Sequence, residues 1–284
     1  MSLKHSNVIL FADDTTIYQS SSKENDLFVP MNNDLTNLHE WFKTNKLSLN
    51  VNKTKYMVFN NTNINNNAVI SIGGEAIEKV QSIKFLGLTI DEELKWDKHI
   101  SQCRNKVSSG VYVMNASKHI LSSNHLRILY NSLVQSHLDY CNIIWGNALS
   151  KYTHPLQIQQ NKALRCLSNA KYNAHTESLY KRQNILKIKE IHQIHIGRLS
   201  YNYIHRTLPP PLEKVFQRRQ DINLRSTRQT LDINLPRLKR ERTRRSYIYE
   251  AARLWNSYDM TLKSANSLNI FKNSLRRKFL DHYN

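Results

Sequence analysis

Over the first hundred residues, apolar positions come in short runs. "NVILF" (7–11) and "TTIY" (15–18) are β-prone and flank "ADD", the pattern of a hairpin. Leu27, Met31, Leu35, Leu38 and Phe42 then recur at steps of three and four, with Trp41 beside the last, which predicts an amphipathic helix packed on a sheet. "TKYMVF" (54–59), "AVISI" (68–72) and "SIKFLGLTI" (82–90) read as further strands, separated by an Asn-rich loop at 60–67 and a turn at Gly73-Gly74. From about Trp96 the spacing becomes helical. Ile100, Cys103, Val107, Val111 and Met114 make one stripe, and Leu126, Leu129, Leu133, Cys141 and Trp145 a second, opened by Ser122 or Ser123. A third runs through Leu156, Ala163, Leu164 and Leu167, and a fourth through Ile188, Ile191, Ile194 and Tyr203. "TLPPPLEKVF" is expected to end the helices in an extended segment, because proline lacks the donor a helix interior needs. Beyond it, apolar residues return only in "YIYEAARLW" and "LNIFKNSLRRKFL", two short helices. The expected organisation is α+β, with a mixed segment (1–95), a helical domain (96–208) and a basic C-terminal extension (209–284).

Charge narrows the class of partner. Across 284 residues, Lys and Arg number 41 against 22 Asp and Glu, a formal charge of +19, which attracts polyanions. No apolar run is long enough to span a bilayer and neither end carries a basic amphipathic helix, so nucleic acid is the expected partner and a membrane is not. Cys103, Cys141 and Cys166 are scattered, without CxxC spacing, which speaks against a disulfide framework or a zinc ribbon. "MSLKHSNVILF" lacks a signal-peptide core, and the expected location is intracellular, in nucleus or cytoplasm.

Adjacent strand residues point to opposite faces, so Asp13 and Asp14 can serve one site only if the backbone turns between them. A hairpin tip supplies that turn, and a divalent cation would offset the repulsion of two close carboxylates. The bland alternative is a solvated loop, since Asp is a common turn residue. The aspartate nucleophile pattern D-x-D-x-T does not apply, because here the acids are adjacent. "HQIH" places His192 and His195 a helical step apart, but without a third ligand core or surface histidine is the better reading. "RLKRERTRR", with Arg237, Lys239, Arg240, Arg242, Arg244 and Arg245, reads as a nuclear-import signal, a phosphate-binding stripe or a solvated face, and in a chain of this charge phosphate contact is the preferred reading.

The order of motifs adds to this. "FADDTTIY", the helix after it, "WFKTNKLSLNVNKTKYMVF", "GGEAIEKVQSIKFLGLTIDEELKWDKHI" and the helices ending "LVQSHLDYCNIIWGN" together resemble the C-terminal half of a reverse transcriptase from a non-LTR, jockey-like retrotransposon. The resemblance implies a polymerase palm sheet with a packed helix, followed by a helical thumb, and DNA synthesis from an RNA template. It implies that Asp13 and Asp14 hold catalytic Mg²⁺. It also places Asn50, Lys53 and Thr54 near the phosphates of the incoming nucleotide, with Lys53 stabilising charge or donating a proton. "KFLGLTID" is similar to the primer-grip hairpin, in which Phe85, Leu86 and Gly87 bring backbone close to the primer. The implied partners are the backbones of RNA template and DNA primer.

Two-metal phosphoryl transfer needs carboxylates from more than one strand. The family supplies another aspartate upstream, whereas residues 1–10 here contain no acid. The expectation is a truncated polymerase fragment, inactive alone, whose missing half is absent or acts in trans, and whose first strand has an uncovered edge.

Overall fold

The computed structural model describes residues 3–21, 25–59, 69–222, 231–238 and 241–283. The chain divides into two compact units, 1–94 and 95–284.

The first unit opens with a hairpin. β1 (Asn7–Phe11) pairs antiparallel with β2 (Asp14–Tyr18), in a register that sets Phe11 opposite Asp14 and Val8 opposite Ile17. The two residues between them, Ala12 and Asp13, make the turn, with Ala12 at φ +51°. α1 (Asn25–Thr44) follows with the expected stripe turned inward. Leu35 and Leu38 are buried with Ile70, Ile72 and Ile77, and Ile17, Met31, Phe42, Val51 and Tyr56 pack around them. β3 (Lys55–Tyr56) pairs in parallel with β6 (Glu78–Lys79). Between them lie β4 (Ser71–Ile72) and β5 (Glu75–Ala76), joined through Gly73-Gly74, both at positive φ as the turn requires. The Asn32 side chain of α1 fixes this hairpin, accepting from Ser71 N at 3.0 Å and donating to Val69 O at 2.9 Å. β7 (Ser82–Phe85) and β8 (Leu88–Asp91) form a last hairpin.

The elements are therefore mixed α+β, but the strands do not merge. Among the described residues they form four separate two-stranded sheets in place of one palm sheet. "TKYMVF" and "AVISI" contribute only two strand residues each, and 82–90 is a hairpin. The Asn-rich tract at 60–67 lies outside the described residues.

The second unit is helical. α2 (Asp97–Ser117) buries Ile100, Cys103, Val107 and Met114 as expected, but Gly110 takes the buried position next to Val111. A Cβ on Gly110 would sit 2.9 Å from both Cβ and O of Leu133, so glycine is what allows α2 to approach that segment. The second stripe is not one helix. α3 (Ser123–Tyr130) runs into a π-helical turn (Asn131–Gln135) and α4 (Ser136–Asp139), and Cys141 at φ +51° redirects the chain into α5 (Asn142–Trp145). α6 (Ser150–Leu167) tolerates Pro155 in its second turn. α7 (Glu177–Gln183) precedes α8 (Ile188–Ile204), the fourth stripe.

The prolines do not hold an extended segment. Pro209 caps α9 (Pro210–Glu213), whose first positions need no donor. Nor does residue 209 begin an appended tail. After α10 (Arg219–Ile222) and α11 (Glu241–Arg244), α12 (Tyr247–Ser257), α13 (Met260–Lys263) and α14 (Leu268–Asp281) complete the core around α8. Trp255, Phe271 and Leu275 are fully buried with Ile196 and Tyr201. A chain that looks basic by composition is amphipathic in its two long C-terminal helices, and burial of those apolar faces outweighs the charge on the other side.

Candidate nucleic-acid and metal site

The hairpin between β1 and β2 positions the paired acids. Asp13 is the second turn residue and Asp14 the first residue of β2, so the bend falls at the pair. Both are exposed, and neither side chain makes a hydrogen bond or ion pair among the described residues. Around them Ile9, Leu10 and Phe11 are also exposed, Leu10 by 69%. A hairpin this short is marginal alone. It is held through Ile17, which packs against the α1 core, and through Asp34 of α1, whose carboxylate accepts from Lys4 N and His5 N at 3.0 Å each. Asp34 is 1% exposed. Burial alone would raise its pKa, but the backbone donors of Lys4, His5 and Ser6 and the Ser6 hydroxyl together hold it below the ordinary carboxylate value. Asp34 was not singled out in the sequence, where an acid on a helix reads as surface.

Two exposed carboxylates without partners among the described residues offer hard oxygen ligands, which suits Mg²⁺, an ion that keeps several waters and takes one or two protein acids. Among the described residues no group of three or more His, Cys, Asp or Glu side chains is placed to share a metal ion. His192 and His195 do not form such a site. His192 is buried, with Nδ1–H donating to Asn142 O at 3.0 Å, and burial pushes its pKa down. His195 instead faces Asp139, at 3.5 Å.

Lys53 ends a 3₁₀ turn, Val51–Lys53, capped by Asn50, whose Oδ1 accepts from Lys53 N at 3.2 Å. Thr54 Oγ1 donates to Asn50 O at 3.0 Å. The "NVNKT" sequence therefore builds a rigid turn, and the Lys53 side chain is exposed from it. Leu86 and Gly87 are the turn of the β7–β8 hairpin, both at positive φ, +45° and +81°. Two such residues in a row match the twist of the strands. The turn leaves Leu86 and Gly87 exposed and Phe85 half-buried.

Asp13, Asp14, Lys53 and Phe85–Gly87 all belong to the 1–94 unit, while the basic run belongs to the other. Of that run, Arg237 and Arg244 are exposed and Arg245 is half-buried; Lys239 and Arg240 lie outside the described residues, as does the side chain of Arg242. No helix among the described residues is long and apolar enough to cross a membrane.

The family model for reverse transcriptase (RNA-dependent DNA polymerase) matches residues 2–90, the stretch that holds both aspartates, the capped turn and the Leu86-Gly87 hairpin. Residues 2–90 belong to the reverse transcriptase family. The chain is 25% identical over 195 residues to the probable RNA-directed DNA polymerase from transposon BS of Drosophila melanogaster, covering 67% of this chain and 21% of that protein. It is 24% identical over 200 residues to the RNA-directed DNA polymerase from mobile element jockey of the same fly, covering 68% and 22%. Its identity to the jockey polymerase of Drosophila funebris is 23% over 175 residues, covering 61% and 19%. These relatives place the reverse transcriptase segment among those of non-LTR, jockey-like elements. The chain spans about a fifth of the length of the curated relatives it matches. No solved structure matches it significantly.

Proposed function

We propose that this chain supplies the metal- and primer-contacting part of an RNA-directed DNA polymerase. The observation that supports this best is the pair Asp13-Asp14 at a hairpin bend, exposed and without partners among the described residues, inside the segment that matches the family. In this reading both carboxylates ligate Mg²⁺, which when bound would stabilise charge on the reacting phosphate oxygens. Lys53, aimed outward from its capped turn, neutralises charge on the phosphates of the incoming nucleotide. The Leu86-Gly87 turn offers exposed backbone to the primer strand, where glycine lets a strand approach closely. The helical unit plays the thumb, and template and primer backbones are the partners.

Two carboxylates on one turn fix one metal more readily than two. A further acid, from polymerase sequence that the relatives carry and this chain does not span, completes the centre, in the same polypeptide or in trans. The chain by itself is accordingly a binder with little or no synthesis.

Paramagnetic Mn²⁺ titrated into the isotope-labelled chain tests the metal assignment. Resonances of 11–16 should broaden first, and Asp13→Ala with Asp14→Ala should remove the effect; uniform broadening that ignores both substitutions refutes it. Primer extension on an RNA template, with Mg²⁺ or Mn²⁺, tests sufficiency. Synthesis abolished by Asp13→Ala would show that the chain needs no further acid.

The charge of +19 favours a second reading, a non-catalytic nucleic-acid-binding protein built on the helical unit and its basic run. Binding that is salt-dependent but indifferent to Asp13→Ala and Asp14→Ala, combined with no Mn²⁺ effect at 11–16, would select it.

A further inference from the structure

Within the helical unit lies a cleft of about 430 Å³ that neither the aspartate hairpin, the Lys53 turn nor the Leu86-Gly87 hairpin lines. α3, the π-helical turn and α4 line one side of it, and the link between α7 and α8, α8 itself and α14 line the others. Its polar lining includes Arg127 from α3, Lys272 and Arg276 from α14, His195 from α8 and one acid among the described residues, Asp139. These residues come from positions up to 149 apart in sequence, so no local motif could announce them.

Both guanidiniums are held in place. Arg127 Nη2 donates to Gln183 O at 2.9 Å and to Gln183 Oε1 at 2.6 Å. Arg276 Nε donates to Asn184 Oδ1 at 3.0 Å, and its Nη2 donates to Asn184 O. The end of α7 thus clamps the two arginines and leaves further N–H donors of each guanidinium for other partners. Lys272 makes no hydrogen bond or ion pair among the described residues. Asp139 is already engaged by His195 at 3.5 Å and by Gln135 Nε2 at 3.1 Å. Burial pushes the Arg276 pKa down, with Asp139 and Tyr283 opposing the shift and Arg127 adding to it.

Two fixed guanidiniums and the Lys272 ammonium against one shared carboxylate leave the cleft short of negative charge. A carboxylate ligand would need little room, and so would a free inorganic anion. The volume is that of a small-molecule site, and Tyr130, Ile191 and Ile194 give it an apolar wall. Fixed guanidinium forks favour phosphate, which they can meet with two parallel hydrogen bonds. We propose that this cleft binds a phosphate monoester carried on a ring-bearing organic group, from either a free nucleotide or the terminal phosphate of a nucleic-acid strand. The proposal does not depend on the aspartate hairpin, and its failure would leave that assignment standing.

Calorimetry on the full chain at fixed salt decides it, using adenosine 5′-monophosphate against adenosine, and a 5′-phosphorylated trinucleotide against its 5′-hydroxyl form. The phosphorylated member of at least one pair should bind about tenfold or more tightly, the scale of one or two charge-assisted hydrogen bonds. Saturation by the mononucleotide identifies the free nucleotide as source; response to the trinucleotide alone identifies a strand end. Lys272→Gln should weaken binding about tenfold, and Asp139→Asn should tighten it severalfold. Neither side chain is buried, and a gain in affinity cannot come from lost folding. Equal affinity within both pairs, wild-type affinity in both variants, or inorganic phosphate competing as well as the nucleotide would overturn the proposal.

Discussion

Asp34 shows how one buried carboxylate can set the position of a site 20 residues away in sequence. Its two backbone bonds to Lys4 and His5 tie the start of β1 to α1, and so fix the approach to the Asp13-Asp14 turn. Because its folded pKa lies below the ordinary 3.8, the stabilisation is complete at neutral pH and is lost as pH falls from 3.8 toward the folded value. Asp34→Asn should cost about 1.5–3 kcal/mol at pH 7, the scale of hydrogen bonds to a charged group. Chemical denaturation of both forms from pH 7 to 2 checks the sign: their gap should close below pH 4, and a gap that persists at pH 2 rules out the carboxylate as its cause. Gly110 is the parallel case in the helical unit. Gly110→Ala gains helix propensity of about 1 kcal/mol, yet its methyl meets Leu133 backbone and Cβ at 2.9 Å. Overpacking of this kind costs about 1–3 kcal/mol, so a net loss of stability is expected on urea unfolding, and a net gain would show that α2 can move aside.

At the scale of elements, periodicity was a sound guide wherever a stripe stayed on one straight helix. α1, α2, α6 and α8 follow their apolar spacing, and the two C-terminal helices lie where "YIYEAARLW" and "LNIFKNSLRRKFL" place them. The second stripe misled because Leu126 to Trp145 keeps helical spacing across a break at Cys141, whose left-handed backbone nothing in a cysteine announces. Composition misled at 209–284, where arginines mask the faces that bury Trp255 and Phe271. For the site, the turn at Ala12-Asp13 was legible because hairpins have short local signatures, and the one at Leu86-Gly87 came only with the family resemblance, since 82–90 by its own pattern read as a strand; Asp34 and the arginine cleft depend on tertiary neighbours. The same is true of Lys263, a lysine on a four-residue helix that spacing would place in water. It is buried, donating to Asp232 at 2.9 Å and to Asn256 O at 3.2 Å, while the Asn256 side chain brackets Ile233. This pins the strand-like segment at 231–234 to α12 and α13. Lys263→Met should destabilise the unit by up to about 3–5 kcal/mol, because buried Asp232 then keeps only the longer contact to half-exposed Arg219, at 3.9 Å. Adding Asp232→Leu should recover much of that loss in thermal unfolding; no recovery would mean that the lysine stem, not its charge, carries the stability.

For the whole molecule, the excess of positive charge matters through the counterions that a nucleic acid releases on binding. Each phosphate neutralised contributes about −0.9 to the slope of log affinity against log salt on duplex, so the slope counts contacts without regard to sequence. The chain should bind an RNA–DNA hybrid with an affinity that falls about a thousandfold or more between 50 and 200 mM salt if six or more phosphates are met. Arg237 and Arg244 are exposed and Arg245 half-buried, so changing all three to Gln should lower the slope by about 2–3. Removing the Asp13 and Asp14 carboxylates without added metal should leave the slope unchanged, since acids that repel the backbone release no counterions. Fluorescence anisotropy over a salt series measures all of these on one labelled hybrid. A slope untouched by the triple substitution would assign the run to a solvated face and move the backbone contacts elsewhere on the chain. A slope that falls by the expected amount would place the polyanion on the helical unit, independently of whether the aspartate hairpin takes a metal.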